Sequence, residues 1–212
     1  MRTPIVIVIL ALLPLSGRAA EPALSTPHWS LELKGGMFVP AVQDWQAYYG
    51  QHDMAEYAAS LAYKVLPWFE LGAGAGTMTA KGQSYYKGHG TPAGEMTYEL
   101  NPLDVFMMVR GAVKENQWIM PYLGGGWTRM YYREKLPGQE TVRGSADGYH
   151  VRGGLQISLD NIDPSASTRM FSHYGVYGTY VFIEAAYYHV LERTTSIDLG
   201  GTAYFGGLLF EF

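Results

Sequence analysis

Thr202-Ala203-Tyr204-Phe205-Gly206-Gly207-Leu208-Leu209-Phe210-Glu211-Phe212 is the stretch whose reading decides the fold. Extended, it sets Tyr204, Leu208, Phe210 and Phe212 on one face at period two, and Ala203, Gly207 and Glu211 on the other. A strand this apolar, with no polar tail after it, needs a hydrogen-bonding neighbour on each edge and an apolar solvent on one side. A sheet closed on itself inside a membrane meets both demands, because closure removes the free edges and the outward face meets lipid.

Working back from this eighth strand, seven earlier segments alternate in the same way. The first, 29–39, sets Glu32 and Lys34 against Leu31, Leu33, Met37 and Val39. In 54–66, Glu56, Ser60 and Lys64 oppose Tyr57, Leu61, Tyr63 and Val65, although its alanines suit a helix equally well. In 69–80, Glu70, Gly72, Gly74 and Gly76 oppose Phe69, Leu71, Ala73 and Ala75. The fourth, 95–113, changes polar parity near Asn101-Pro102, with Thr97 and Glu99 before the change and Asp104 and Arg110 after it. That change predicts a bulge, where proline is tolerated. The fifth, 118–133, holds Gly124, Gly125 and Gly126, then Trp127, Tyr131 and Tyr132. The sixth, 148–159, sets His150, Arg152, Gln156 and Ser158 against Tyr149, Val151, Leu155 and Ile157; the seventh, 176–191, sets Tyr180, Glu184 and Tyr188 against Val181, Ile183, Ala185 and Tyr187.

The connections differ in length. Pro67-Trp68, 114–117 and 192–196 are short, whereas 40–53, 81–94 and 134–147 are long and polar, with a helical turn predicted within 41–49. In 160–175, Asp163 followed by Pro164 reads as a helix N-cap and first helical residue.

Composition agrees with a sheet. The 212 residues include 26 Gly, 17 Tyr and 5 Trp, and only 16% are charged, below the usual quarter. There is no cysteine and hence no disulfide framework. The net charge of −4 comes without any basic run, which argues against nucleic acid as a partner. Residues 1–20 read as a secretory signal peptide: Met1-Arg2, an apolar run from Ile5 to Leu13, then Gly17-Arg18-Ala19-Ala20. That run falls short of the roughly 20 residues a membrane helix needs. Residues 21–212 are then one exported domain.

Alternation alone fits a soluble barrel too, with its apolar face inward. The charges decide against it. Glu32, Lys34, Lys64, Glu70, Arg110, Arg152, Glu184 and Glu211 fall on the polar faces, four acids and four bases. A soluble apolar core has no place for them, but a narrow barrel lumen holds them if they pair. Aromatics near strand ends, such as Trp29, Tyr57, Trp68, Trp127 and Tyr131, suit the interfacial girdles of a membrane barrel.

The expected fold is an all-β, eight-stranded antiparallel up-and-down transmembrane barrel with one short helix on the periplasmic side. With its leader, its eight strands and its terminal aromatic, the chain resembles the small outer-membrane β-barrels of the OmpA membrane-domain, OmpX and OmpW type. In that group the last strand carries a signal read by the barrel-insertion machinery, and Gly207, Phe210 and Phe212 match its positions, although Phe205 stands where a polar residue is usual. The resemblance implies a monomer in the outer membrane of a Gram-negative bacterium, in contact with outer-membrane lipid and lipopolysaccharide.

The candidate chemistry is sparse. Gly72-Ala73-Gly74-Ala75-Gly76 lacks the helix and Gly-Lys-Ser/Thr of a phosphate-binding loop. Some barrels of this scaffold modify lipid A with a histidine, and His189 is the best-placed histidine here, but Glu184 stands at odd parity to it. His52-Asp53 and Asp147 with His150 are pairs without further metal ligands, so no metal or cofactor is expected. The leading expectation is a non-enzymatic barrel with a salt-bridged lumen and a structural or surface-interaction role. The alternatives are a narrow pore for small or apolar solutes, using space beside Gly74, Gly76, Gly124 and Gly126, and a lipid A-modifying enzyme.

Overall fold

The computed structural model describes residues 27–42, 45–85, 92–111, 117–135, 138, 140–191 and 198–212. The expected leader, the turn at 114–116 and the connection 192–196 lie outside the described residues. Eight strands form one closed antiparallel ring: β1 Trp29–Pro40, β2 Met54–Leu66, β3 Phe69–Tyr85, β4 Pro92–Arg110, β5 Ile119–Lys135, β6 Val142–Ser158, β7 Gly178–Val190 and β8 Gly201–Glu211. Each pairs with its sequence neighbours, and β8 closes on β1 from Ser30↔Glu211 to Pro40↔Gly201. Helix α1, Trp45–Tyr49, follows β1 at the end of the barrel where the long connections lie, here the loop end. Helix α2, Pro164–Tyr174, follows β6 at the opposite, terminus end.

The period-two pattern becomes a wall with two faces. Even-numbered residues are turned inward along β1 to β7, and odd-numbered ones along β8. The outward face is apolar: Leu33, Leu71, Val105, Leu123, Val151, Ile183 and Leu208 are all exposed. The buried face holds Glu32, Glu70, Arg110, Arg152 and Glu184. This inverts the order of a soluble barrel and is the arrangement a lipid solvent requires. The alanine-rich segment 54–66 is strand, not helix, because its inward Glu56 and Ser60 take their places on the polar face only at period two.

The structure corrects the reading in two places. No bulge interrupts β4 at Asn101-Pro102: its pairing with β5 is unbroken from Thr97↔Lys135 to Arg110↔Tyr122, and its register with β3 is the same at Ala75↔Leu103 and Met78↔Leu100. Polarity changes face there because the strand leaves the apolar band. Glu99 points outward beyond it, 3.0 Å from Lys135 and 3.6 Å from Arg133. For the same reason the polarity of 81–94 and 134–147 predicts loops, whereas much of both is strand. β3 runs on to Tyr85, β4 starts at Pro92, β5 reaches Lys135 and β6 starts at Val142. The wall is therefore taller over β3 to β6 than over the other four strands.

α2 has both of its stops. The Asp163 side chain accepts from the Ala166 N–H at 3.0 Å, Pro164 opens the first turn, and Gly175 ends the helix at φ 69°. None of its residues is buried, so it lies on the terminus end without entering the barrel.

Candidate functional site: an ion-paired lumen

All eight charged residues singled out from the sequence face the lumen, and the ring brings them within reach of one another. Arg152 on β6 meets Glu32, three strands away on β1, with Nη1 at 3.0 Å from Oε2, and lies 3.5 Å from Glu184 on β7. Its guanidinium also covers the Phe106 ring at 4.1 Å. Arg110 on β4 lies 2.9 Å from Glu70, 3.8 Å from Glu32 and 3.5 Å from Glu211, the last on the strand diametrically opposite. Lys34 holds Glu184 at 2.6 Å, and Lys64 holds Glu211 at 2.5 Å. Every cation thus bridges strands that are not neighbours in the sheet.

Hydroxyls and an amide complete the network. Ser30 donates to Glu70 at 3.0 Å, Ser60 to Glu32 at 2.8 Å, Tyr122 to Glu184 at 2.9 Å and Tyr180 to Glu211 at 3.3 Å. Arg110 donates to the Gln156 side-chain oxygen at 3.0 Å. Buried charges persist when geometry and extra hydrogen bonds offset desolvation, and both are present here. Tyr122 was missed from sequence because aromatics in a barrel suggest the outward girdle; its parity with Gly124 and Gly126 was the available signal.

At the terminus end a polar vestibule of about 290 Å³ is lined by Lys64, Arg110, Ser158, Asp160, Tyr180 and Glu211. Its inner boundary includes the ion pairs themselves. Asp160, on the turn after β6, accepts from the Thr179 N–H at 3.2 Å, and burial holds its carboxyl above the usual aspartate range.

Towards the loop end the lumen changes character. One polar group comes first: Thr128 lies 2.7 Å from Asp104 and 2.6 Å from Nδ1 of His150, while both carboxylate oxygens of Glu56 are buried without a hydrogen-bond partner among the described residues. His150 shares the lumen face with Arg152, as its parity predicts, and Glu56 and Asp104 share that face although the predicted charge set does not include them. Beyond them the interior is apolar, with Phe38, Met54, Met78, Leu100, Met130 and Val190 packed under Trp45 of α1. Trp45 stacks on Tyr49 at 4.0 Å and meets Tyr98 edge-on at 5.5 Å. Burial, with Glu134 nearby, raises the Tyr49 phenol above the ordinary tyrosine range, which keeps it a neutral donor.

The remaining candidates disperse. His189 points away from the lumen and packs on Tyr149 at 5.1 Å, while Glu184 points inward, so they form no pair. Asp147 faces outward and His150 inward, and no group of three histidine or carboxylate side chains placed to hold a metal occurs among the described residues. Gly72 to Gly76 lie in mid-strand in β3. A Cβ at Gly126 would meet the Phe106 Cα at 2.7 Å, and one at Gly124 the Met107 carbonyl at 2.8 Å, so these glycines let β5 lie close against β4. Gly207 makes room for the Phe182 ring, which a Cβ would meet at 2.6 Å. Phe210 faces outward opposite Leu31, and the Phe212 N–H donates to the Trp29 carbonyl at 2.8 Å.

No family model and no curated protein matches the chain. Solved structures do. The outer membrane protein OprG from Pseudomonas aeruginosa aligns with a TM-score of 0.61 at 9% identity, over 88% of this chain and 97% of that one. Neisserial surface protein A aligns with a TM-score of 0.58 at 10% identity, over 87% and 97%. This chain has the fold of the small outer-membrane β-barrels. The N-terminal barrel domain of Pseudomonas aeruginosa OprF, with a TM-score of 0.54 at 13% identity over 88% and 98%, is a third barrel of this kind. At such identities the likeness of outer-membrane barrels is one of architecture, and the lumen described above is this chain's own.

Proposed function

We propose that the chain is a non-enzymatic barrel of the bacterial outer membrane, with a structural or surface-interaction role and a lumen closed by ion pairs. The observation that supports this reading is Arg110, which spans the ring from Glu70 on β3 to Glu211 on β8. An ion crossing at that level would have to displace charges already paired and out of water, which is costly. The apolar packing under Trp45 adds a second obstruction nearer the loop end. Export by residues 1–20, and recognition of β8 by the insertion machinery through Gly207, Phe210 and Phe212, belong to the same reading. The test is electrical. Refolded into planar bilayers, the protein is expected to give no unitary conductance in molar salt; reproducible current steps that scale with salt would overturn the closed lumen and favour a pore.

A further inference from the structure

The lumen holds more acid than its ion pairs use. Lys34, Lys64, Arg110 and Arg152 are taken up by Glu32, Glu70, Glu184 and Glu211. Glu56 and Asp104 face the same interior nearer the loop end, and neither has a Lys or Arg within ion-pair distance among the described residues. Glu56 is completely buried there. A carboxylate kept out of water without a partner calls for a cation beside it.

His150 supplies a free ligand atom in this layer. Thr128 has one hydroxyl proton and donates it to Asp104 at 2.7 Å, so its oxygen accepts from the Nδ1–H of His150 at 2.6 Å. That chain fixes the tautomer of the neutral ring and leaves Nε2 with a bare lone pair. Nε2 is buried and has no hydrogen-bond partner among the described residues. Metal-binding histidines are oriented in the same way, by a hydrogen bond from the nitrogen that does not bind.

Soft donors border the layer on its loop side. Met54 is the next inward position after Glu56 on β2, and Met78 stands directly across from Glu56 on β3. Met130 is the next inward position after Thr128 on β5. All three side chains are buried and belong to one packed cluster with Trp45. An apolar plug needs only volume, which Leu100 supplies on β4; three thioethers add polarisable lone pairs.

Thioether and imidazole donors favour a soft ion over magnesium or calcium, and one carboxylate beside them balances a single positive charge. We propose that Met54, Met78, Met130 and Nε2 of His150 bind a soft monovalent cation, cuprous copper or silver, with Glu56 as its counter-charge. Thioethers spread over three strands leave no ligand spacing in the sequence, which is why the pairs of histidine and acid gave no metal site. With the lumen closed as proposed above, the ion is held and not passed, because the pairs of Arg110 and Arg152 lie on its terminus side.

The test refolds the whole chain into maltoside micelles with the ion present, so that the interior is open to it before the ring closes. Silver, and cuprous copper under anaerobic conditions against a bathocuproine competitor, are expected to bind at one ion per barrel. The copper X-ray absorption spectrum should show sulfur among the nearest neighbours. M54L/M78L/M130L, a set of changes that keep volume, should abolish the binding. E56Q should weaken it about tenfold. M37L/M107L, which removes exposed thioethers from the outward face, should leave it unchanged. Unchanged heat-modified migration shows that each variant is folded. No saturable binding by the folded barrel, undiminished binding by the triple variant, or a spectrum without sulfur would overturn the site. Zinc or sodium bound more tightly than cuprous copper would overturn the choice of ion.

Discussion

Arg152 sits where three interactions converge: Glu32 at 3.0 Å, Glu184 at 3.5 Å and the Phe106 ring beneath it. Arg152→Ala removes one cation from two buried carboxylates, leaving Glu184 with Lys34 and Tyr122 and Glu32 with Ser60 and the more distant Arg110, and is expected to destabilise the barrel by about 3 kcal/mol, read as a lower urea midpoint in micelles. An unchanged midpoint would mean that the network contributes little. Glu56 is the opposite case, a buried carboxylate with neither oxygen hydrogen-bonded among the described residues. Glu56→Gln removes a group whose burial is uncompensated and should leave the melting temperature unchanged or raise it; a clear fall would reveal a partner for the carboxylate. At this scale the lumen set was legible from parity alone, since period two fixes the face of every residue on a strand. The pairing was not. Arg110 meets Glu211, and Arg152 meets Glu32, only after the ring has closed, and no local pattern carries that information.

Elements were legible in proportion to how strictly they alternate. β2 was recovered at its observed bounds despite its alanines, and α2 began where Asp163 and Pro164 said it should. The misreadings at Asn101-Pro102 and in the tall half of the wall share one cause. Polarity reports the solvent outside the wall as well as the backbone pattern, so a strand that emerges from lipid looks like a loop. α2, with no buried residue, depends on its caps more than on packing. Asp163→Ala should cost that helix about 1 kcal/mol and speed amide exchange across Pro164–Tyr174, while the barrel's own unfolding midpoint stays where it was. A parallel drop in the barrel midpoint would show that α2 supports the wall.

The molecule as a whole is asymmetric along its axis and around it. Along the axis, ion pairs interleaved with Phe106, Met108 and Phe182 fill the terminus half of the lumen, and beyond Glu56, Asp104 and His150 apolar side chains fill the loop end. Around it, charge leaves the outer wall only on the side where the strands are tall. The silent bilayer expected of the closed lumen reads the inside of the ring.

Closure has a kinetic corollary. The β1–β8 seam pairs Ser30 with Glu211, residues from opposite ends of the chain, and the His28 and Trp29 N–H groups donate to the Phe212 carbonyl. Contacts between such distant partners cannot form until the last strand has been made, and loop-closure entropy must be met before any of them contributes. The hairpins can assemble early, but the cross-lumen pairs of Arg110 and Arg152 arise only with the seam. Folding should therefore be slow and all-or-none, with zippering of the seam and locking of the charges as one event.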